Sequence, residues 1–179
     1  GLDSPAIESA SKLNIPIIEL IPDAIVAGLF QLSGQSRPKS ALPGFSKEDE
    51  TALLLHTSGT TSRPKIVPLT QSNLVISAGN IRGTLRLTVR DRCLNIMPLF
   101  HIHGLMAAVL ASMSSGAGVV CTPGFYAPRF FEWLDAFTPS WYTAVPSMHQ
   151  AILARASENN DVVKRVQMRF VRSSSASLP

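Results

Sequence analysis

The sequence predicts an α/β protein built on a doubly wound, largely parallel sheet. Short apolar, β-branched runs recur from Thr51 onwards and alternate with segments of helical pattern. No formally charged residue stands between Arg92 and Arg129, as expected of strands buried on both faces. The segments rich in hydroxyls and histidines fall just after the apolar runs, at the strand ends where ligands sit on such sheets.

Each element follows from local signals. Ser4-Pro5 reads as an N-cap with proline at the first helical position, opening a helix to about Leu13. Ile15-Pro16-Ile17-Ile18-Glu19-Leu20 reads as a strand, an early one because Pro16 cannot donate to a ladder. From Gln31 to Glu50 the chain is polar and carries Gly34, Pro38, Pro43 and Gly44, the signature of a long exposed loop. Three segments result: a small βα piece over residues 1–30, a linker over 31–50, and an α/β block over 51–179. Within the block, Thr51 to Leu55 reads as a buried strand, and Thr70 caps a helix over Gln71 to Arg86 with Leu74, Ile81 and Leu85 inward. Strands follow at Arg92 to Met97, Gly118 to Cys121, Trp141 to Val145 and Arg169 to Arg172. The helices between them are a small-residue one over Leu105 to Met113, one from Pro128 through Phe137, and one from Pro146 to about Ala156. Such β–α alternation implies right-handed crossovers.

Composition narrows the function classes. The 179 residues are 45% hydrophobic and 16% charged, suiting one soluble domain or part of a larger one. The net charge of +4 is scattered, with no Lys/Arg block interleaved with aromatics, which argues against nucleic acid as a partner. Pro98, His101, His103, Ser114 and Gly118 interrupt the uncharged stretch, which argues against a membrane span. Cys93 and Cys121 lie in apolar runs and read as small buried hydrophobes in a reducing compartment rather than a disulfide or metal pair. With no signal peptide the expected location is cytoplasmic, a peroxisomal address staying open. Without an initiator Met, the chain reads as excised from a longer protein.

The block is organised around His56-Thr57-Ser58-Gly59-Thr60-Thr61-Ser62-Arg63-Pro64-Lys65. Hydroxyls and free backbone N–H groups make an anion-binding concavity, Gly59 lets the backbone approach an oxyanion closely, and Lys65 adds a full positive charge. The natural ligand is a polyphosphate. This is not the Walker loop, which needs a second Gly directly before the Lys and a helix directly after it. Here Pro64 precedes Lys65 and Ile66-Val67-Pro68 continues in extended character.

This string resembles the phosphate loop of the adenylate-forming acyl-activating enzymes, which include acyl- and aryl-CoA synthetases, luciferases and peptide-synthetase adenylation domains. His56 and Ser62 resemble the oxalate–CoA ligase-like (peroxisomal CoA synthetase-like) branch. Ile66 departs from the Gly common there, and its β-branch would stiffen the loop's exit. The resemblance implies that this is a fragment of the large N-terminal domain of such an enzyme. It also implies the reaction: a carboxylate attacks the α-phosphate of ATP, giving acyl-AMP and pyrophosphate, and a thiol then takes the acyl group. Thr57, Ser58, Gly59, Thr60, Thr61 and Lys65 would form the phosphate cradle, Lys65 also stabilising the charge that develops in adenylation.

Pro98-Leu99-Phe100-His101-Ile102-His103-Gly104 is the second constellation. Alternate histidines on an extended loop share a face, so a metal pair is conceivable, but no Cys or acidic residue stands nearby with ligand spacing. An ordinary buried, hydrogen-bonded histidine is the other plain reading. The family resemblance favours a third, in which the segment gates the acyl pocket and His101 lies beside the carboxylate and α-phosphate as a catalytic group. His103 with Gly104 is similar to the oxalate ligase-like branch. Trp141 through Gln150 resembles that branch's strand-to-helix corner near the substrate pocket, and Arg172-Ser173-Ser174-Ser175-Ala176-Ser177-Leu178 resembles the strand and loop that approach substrate and adenine.

The expected substrate pocket is therefore His101, His103, Gly104, Ser147, Ser174, Ser175 and Ala176, with no protein metal site. A protonated His101 or His103 would offset the second carboxylate of a short diacid, with Arg172 assisting. The resemblance implies ATP, Mg2+ and CoA as cofactors and a small acid such as oxalate as substrate. The family's aromatic-Gly-x-Thr-Glu motif, its ribose acid and its C-terminal lysine do not occur in the 179 residues, so the fragment alone is expected to be inactive. Two other readings stay open: a loading adenylation domain passing its acyl group to a carrier-protein pantetheine, and a non-catalytic nucleotide-binding domain.

Overall fold

Ser4 accepts from the backbone N–H of Ala6 and Pro5 follows it, starting helix α1 (Pro5–Lys12) as the sequence indicates. The computed structural model describes residues 4–26, 28–34, 44–57 and 65–177. They fall into two compact units, Gly1–Phe45 and Ser46–Pro179. In the first, α1 is followed by an antiparallel hairpin of β1 (Ile18–Pro22) and β2 (Phe30–Gly34), with Ile18 opposite Gly34. This corrects the expectation of a βα piece with a linker from residue 31, because Gln31 to Gly34 complete a strand. Gly34 is required there: at φ +139 it lies in the region that favours glycine, and a Cβ would meet the Ile17 carbonyl oxygen at 2.5 Å.

The second unit opens with another antiparallel hairpin, β3 (Thr51–Thr57) and β4 (Lys65–Thr70), paired from Thr51 opposite Thr70 to Thr57 opposite Lys65. The strand after Thr51 was expected to be buried in the parallel sheet. It instead belongs to a two-stranded sheet of its own, with Leu54 59% exposed. Thr70 then caps α2 (Gln71–Leu85) through a full capping box with Asn73, each residue's side chain accepting from the other's backbone N–H. Leu74, Ile81 and Leu85 are half-buried on its inner side, around the buried Ala78.

The parallel sheet has the order β6-β5-β7-β8, made of β5 (Arg92–Asn95), β6 (Gly118–Cys121), β7 (Trp141–Ala144) and β8 (Phe170–Ser173). Period-2 alternation sorts its side chains onto two faces. Leu94, Ile96, Tyr142 and Ala144 pack with Phe130, Phe131, Trp133 and Leu134 of α4 (Ala127–Phe137). Cys93 and Trp141 pack on the other face with Leu87, Ala108 and Ala111, and Trp141 stacks on Phe170 at 5.2 Å. The connection after β5 is not the regular α-helix expected. It is π-helical over His103–Leu110 and becomes α3 only at Ala111–Met113. After β7 come α5 (Pro146–Leu153) and a further short helix, α6 (Asn160–Arg165), where only one helix was expected.

The far edge of the sheet, at the strands' amino ends, is tied by Asp91. It accepts from the Thr88 backbone and hydroxyl and from Ser140, and it pairs with Arg169 at 3.1 Å. Burial raises the carboxyl's pKa, but these donors and the guanidinium outweigh burial and hold it below the ordinary value. Cys93 is buried as expected while Cys121 is exposed, a correction to the reading of both as buried. Among the described residues no helix is long and apolar enough to cross a membrane.

Candidate active site

The chain leaves β5 toward β6 and leaves β7 toward β8, in opposite directions from the middle of the sheet. A crevice at the carboxyl ends of β5 and β7 is where such a sheet takes ligands. A polar cluster sits there, on the face shared with α2. His103 follows β5, Thr143 lies near the end of β7, Arg172 lies opposite Thr143 on β8, and Ser174 and Ser175 follow β8.

Backbone geometry seats His103. A Cβ on Gly104 would stand 2.5 Å from the Pro98 carbonyl oxygen and 2.9 Å from that of Met97, so only glycine lets the π-helix turn back against the end of β5. His103 is thereby 7% exposed, against a Thr143 that is fully buried. Its Nε2 lies 2.6 Å from Thr143 Oγ1 and 3.2 Å from Arg172 Nη1, and its Nδ1 lies 3.3 Å from Ser175 Oγ. Arg172 Nη1 also donates to Thr143 Oγ1 at 3.0 Å and Nη2 to Ser174 Oγ at 3.3 Å. A guanidinium can only donate, so Nε2 is an acceptor and the network assigns the proton to Nδ1, directed at Ser175. Ser175 reaches it from a left-handed backbone at φ 76, an unusual conformation for a serine.

Electrostatics agree with a neutral ring. Burial first, then the charge of Arg172 and smaller repulsion from His101 and His149, hold the His103 pKa down at about 4. The imidazole is neutral at pH 7, which corrects the expectation of a protonated His103. The cation of this cluster is Arg172, whose own pKa burial lowers without discharging it.

The other expected residues separate. His101 is exposed, its ring 5.2 Å from that of Phe100, and it does not join the hydrogen-bonded cluster. Ser147 is exposed on the first turn of α5 and Ala176 is exposed beyond β8. Lys65 is exposed at the start of β4, opposite Thr57 at the end of β3, so the hairpin pairs the residues that bracket segment 58–64. Ser58, Gly59, Thr60 and Thr61 lie outside the described residues. Thr143 was missed. Its signal was a hydroxyl inside an apolar run, which in a strand this buried needs a polar partner.

The opposite face carries a separate cavity of about 630 Å³, lined chiefly by apolar groups of α4, α5, α6 and β8. Tyr142 OH lies 3.0 Å from His149 Nδ1 at its wall, and burial pushes the Tyr142 pKa up to about 12. His149 Nε2 and Ser173 Oγ are buried there without a partner among the described residues.

A doubly wound sheet with a cationic, hydroxyl-lined crevice at its switch point has the chemistry to take an anionic small molecule. The chain belongs to the AMP-binding enzyme family, whose model matches residues 5–179. It is 42% identical over 180 residues to the oxalate–CoA ligase of Arabidopsis thaliana, covering 98% of this chain and 35% of that protein. It is 35% identical over 167 residues to the sulfoacetate–CoA ligase of Cupriavidus necator, covering 93% and 31%. The fold superposes on a malonyl-CoA ligase in ternary product complex with methylmalonyl-CoA and AMP, with a TM-score of 0.70 and 26% identity over 78% of this chain and 31% of that one. The chain thus spans about a third of the length of these relatives.

Proposed function

We propose that this chain is the phosphate- and acid-binding part of an ATP-dependent acid–thiol ligase acting on a small polar acid, oxalate or a close relative. In the first half-reaction a carboxylate oxygen attacks the α-phosphorus of ATP and pyrophosphate leaves, giving acyl-AMP. In the second a CoA thiol, losing its proton, attacks the acyl carbon and AMP leaves. Lys65 and the loop before it would stabilise charge on the bridging and β,γ-oxygens. The described residues hold no group of three or more His, Cys, Asp or Glu that could hold a metal ion. Mg2+ would be carried chiefly on the ATP phosphates.

One observation carries the acid class: the cluster at the switch point is polar throughout, with Arg172, His103, Thr143 and Ser174 within hydrogen-bond reach of one another. An alkyl chain laid there would leave such groups unpaired, at about 1–3 kcal/mol each. The relatives' names, oxalate–CoA and sulfoacetate–CoA ligase, fit an acid bearing a second acidic group.

A second reading, a longer acyl or aryl acid, draws on the apolar cavity of about 630 Å³. That cavity lies on the other face of the sheet, with Tyr142 and Ser173 rather than Thr143 and Arg172. A substrate engaging both would have to pass around the strand ends. The test is competition among oxalate, malonate, benzoate and octanoate in pyrophosphate release by the full-length protein at saturating ATP. Oxalate or malonate should win; a tenfold preference for octanoate or benzoate refutes the small-acid assignment. Offering CoA and a pantetheinylated carrier protein in turn identifies the acceptor.

A further inference from the structure

We propose that Arg172 is the specificity-determining residue that receives the second acidic group of the substrate, and that Thr143, Ser174 and His103 hold its guanidinium in position. This rests on the acyl-activating reading above and adds to it how an acid with two anionic groups is told from one with a single group.

The fold contains its own control, because one arginine directly precedes β8 and another lies near its carboxyl end, with opposite surroundings. Arg169, at the amino end, has a charged partner: it pairs with Asp91 and donates to the carbonyl oxygens of Leu85 and Arg86. That is an arginine used to close a fold. Arg172, near the carboxyl end, is half-buried, and its partners among the described residues are all neutral: an imidazole nitrogen and two hydroxyls. The ion pairs among the described residues join Lys12 to Glu8, Arg129 to Glu132, Arg165 to Asp135 and Arg169 to Asp91, and none includes Arg172. A desolvated cation held by neutral acceptors is an incomplete ion pair, and its natural complement is an anion that comes and goes.

The geometry leaves donors for it. A guanidinium has five N–H groups in a rigid fork, and its contacts here run from Nη1 to His103 and Thr143 and from Nη2 to Ser174. Nε and a second Nη hydrogen are not used by these contacts, and such a fork matches a carboxylate or sulfonate. The neutral state of His103 is part of the arrangement. With its proton on Nδ1 toward Ser175, its Nε2 accepts from Arg172 and orients the cation instead of repelling it. Thr143 does the same from β7, through strand register.

The experiment uses the full-length protein and pyrophosphate release with oxalate, malonate, acetate and glyoxylate. R172Q should lower kcat/KM for the two diacids by about 10²–10³-fold, the usual consequence of losing one member of a desolvated charge pair. The monoacids should change by less than about threefold, so the diacid-to-monoacid ratio collapses. R172K should fall between, having the charge without the fork. T143V, which removes an anchor and keeps the cation, should raise KM for oxalate by roughly 3–10-fold and leave KM for ATP unchanged. If diacid and monoacid rates fall together in R172Q while T143V leaves oxalate KM unmoved, Arg172 is a structural residue and the inference fails alone. A wild-type protein that accepts monoacids but neither diacid overturns it together with the small-diacid reading.

Discussion

Thr143 and Arg172 stand opposite each other in the parallel pairing of β7 and β8, and Nη1 of Arg172 donates to Oγ1 of Thr143 at 3.0 Å. The contact joins residues 29 apart in sequence and fixes where the positive charge of the crevice stands. Slipping β8 by one residue would send Arg172 to the opposite face, among the groups lining the apolar cavity. Register therefore decides which face of the sheet carries this charge. It is held at the other end of the same strands by Asp91, Ser140 and Arg169.

Lys65 is the first described residue after segment 58–64, and it is exposed at the start of β4. In the full-length protein Lys65→Ala should slow acyl-adenylate formation by about 10²–10³-fold, the loss that follows removal of one preorganised charge stabiliser. ATP affinity should fall less, because backbone donors remain. Single-turnover adenylation with separately measured ATP binding checks this, and an unchanged rate removes Lys65 from the mechanism.

Gly104→Ala tests the seat of His103. The new Cβ would stand 2.5 Å from Pro98 O and 2.9 Å from Met97 O, both backbone atoms that cannot swing aside. The π-helix must move off the end of β5, at a cost of about 1–3 kcal/mol as for other overpacked sites. Denaturant midpoints should show that loss, and KM for the acid should rise more than KM for ATP. A variant with wild-type stability and wild-type KM values refutes the close-approach argument.

Local chemistry made much of this legible beforehand. Ser4, Thr70 and Pro146 announced their helices because caps and N1 prolines act within a few residues, and the apolar runs of β5, β6 and β7 announced strands, buried in β5 and β7 and partly exposed in the edge strand β6. Whatever depended on distant partners was not legible. Nothing near Gln31 tells that Gly34 will pair with Ile18, and nothing near Thr51 tells that β3 folds back on β4 instead of entering the main sheet. The site divides the same way. His103, Ser174 and Ser175 were named from motif and position and stand together in the crevice, whereas a charge expected on His103 is not held there. A histidine's protonation depends on burial and on an arginine 69 residues away.

That dependence gives the last prediction. Burial and the Arg172 charge lower the His103 pKa from its usual 6.5 to about 4. Below pH 6.5 the unfolded chain therefore binds a proton at this position that the folded chain refuses until about pH 4. Its contribution to stability is fully present above pH 6.5, declines as pH falls through that window, and is gone below about 4. The amount is on the order of 2 kcal/mol, allowing for solvent at the Ser175 side. With ¹³C-labelled histidine in the full-length protein, the His103 ring signal, assigned by its loss in H103N, should keep its neutral position down to about pH 5. Denaturant stability of wild type should fall relative to H103N between pH 7 and 5. Saturating oxalate should move the ring's midpoint upward, because an anion on Arg172 cancels part of the charge that depresses it. A midpoint near 6.5 in the free protein would mean that His103 is neither desolvated nor beside the guanidinium, and the arrangement of the crevice would have to be redrawn.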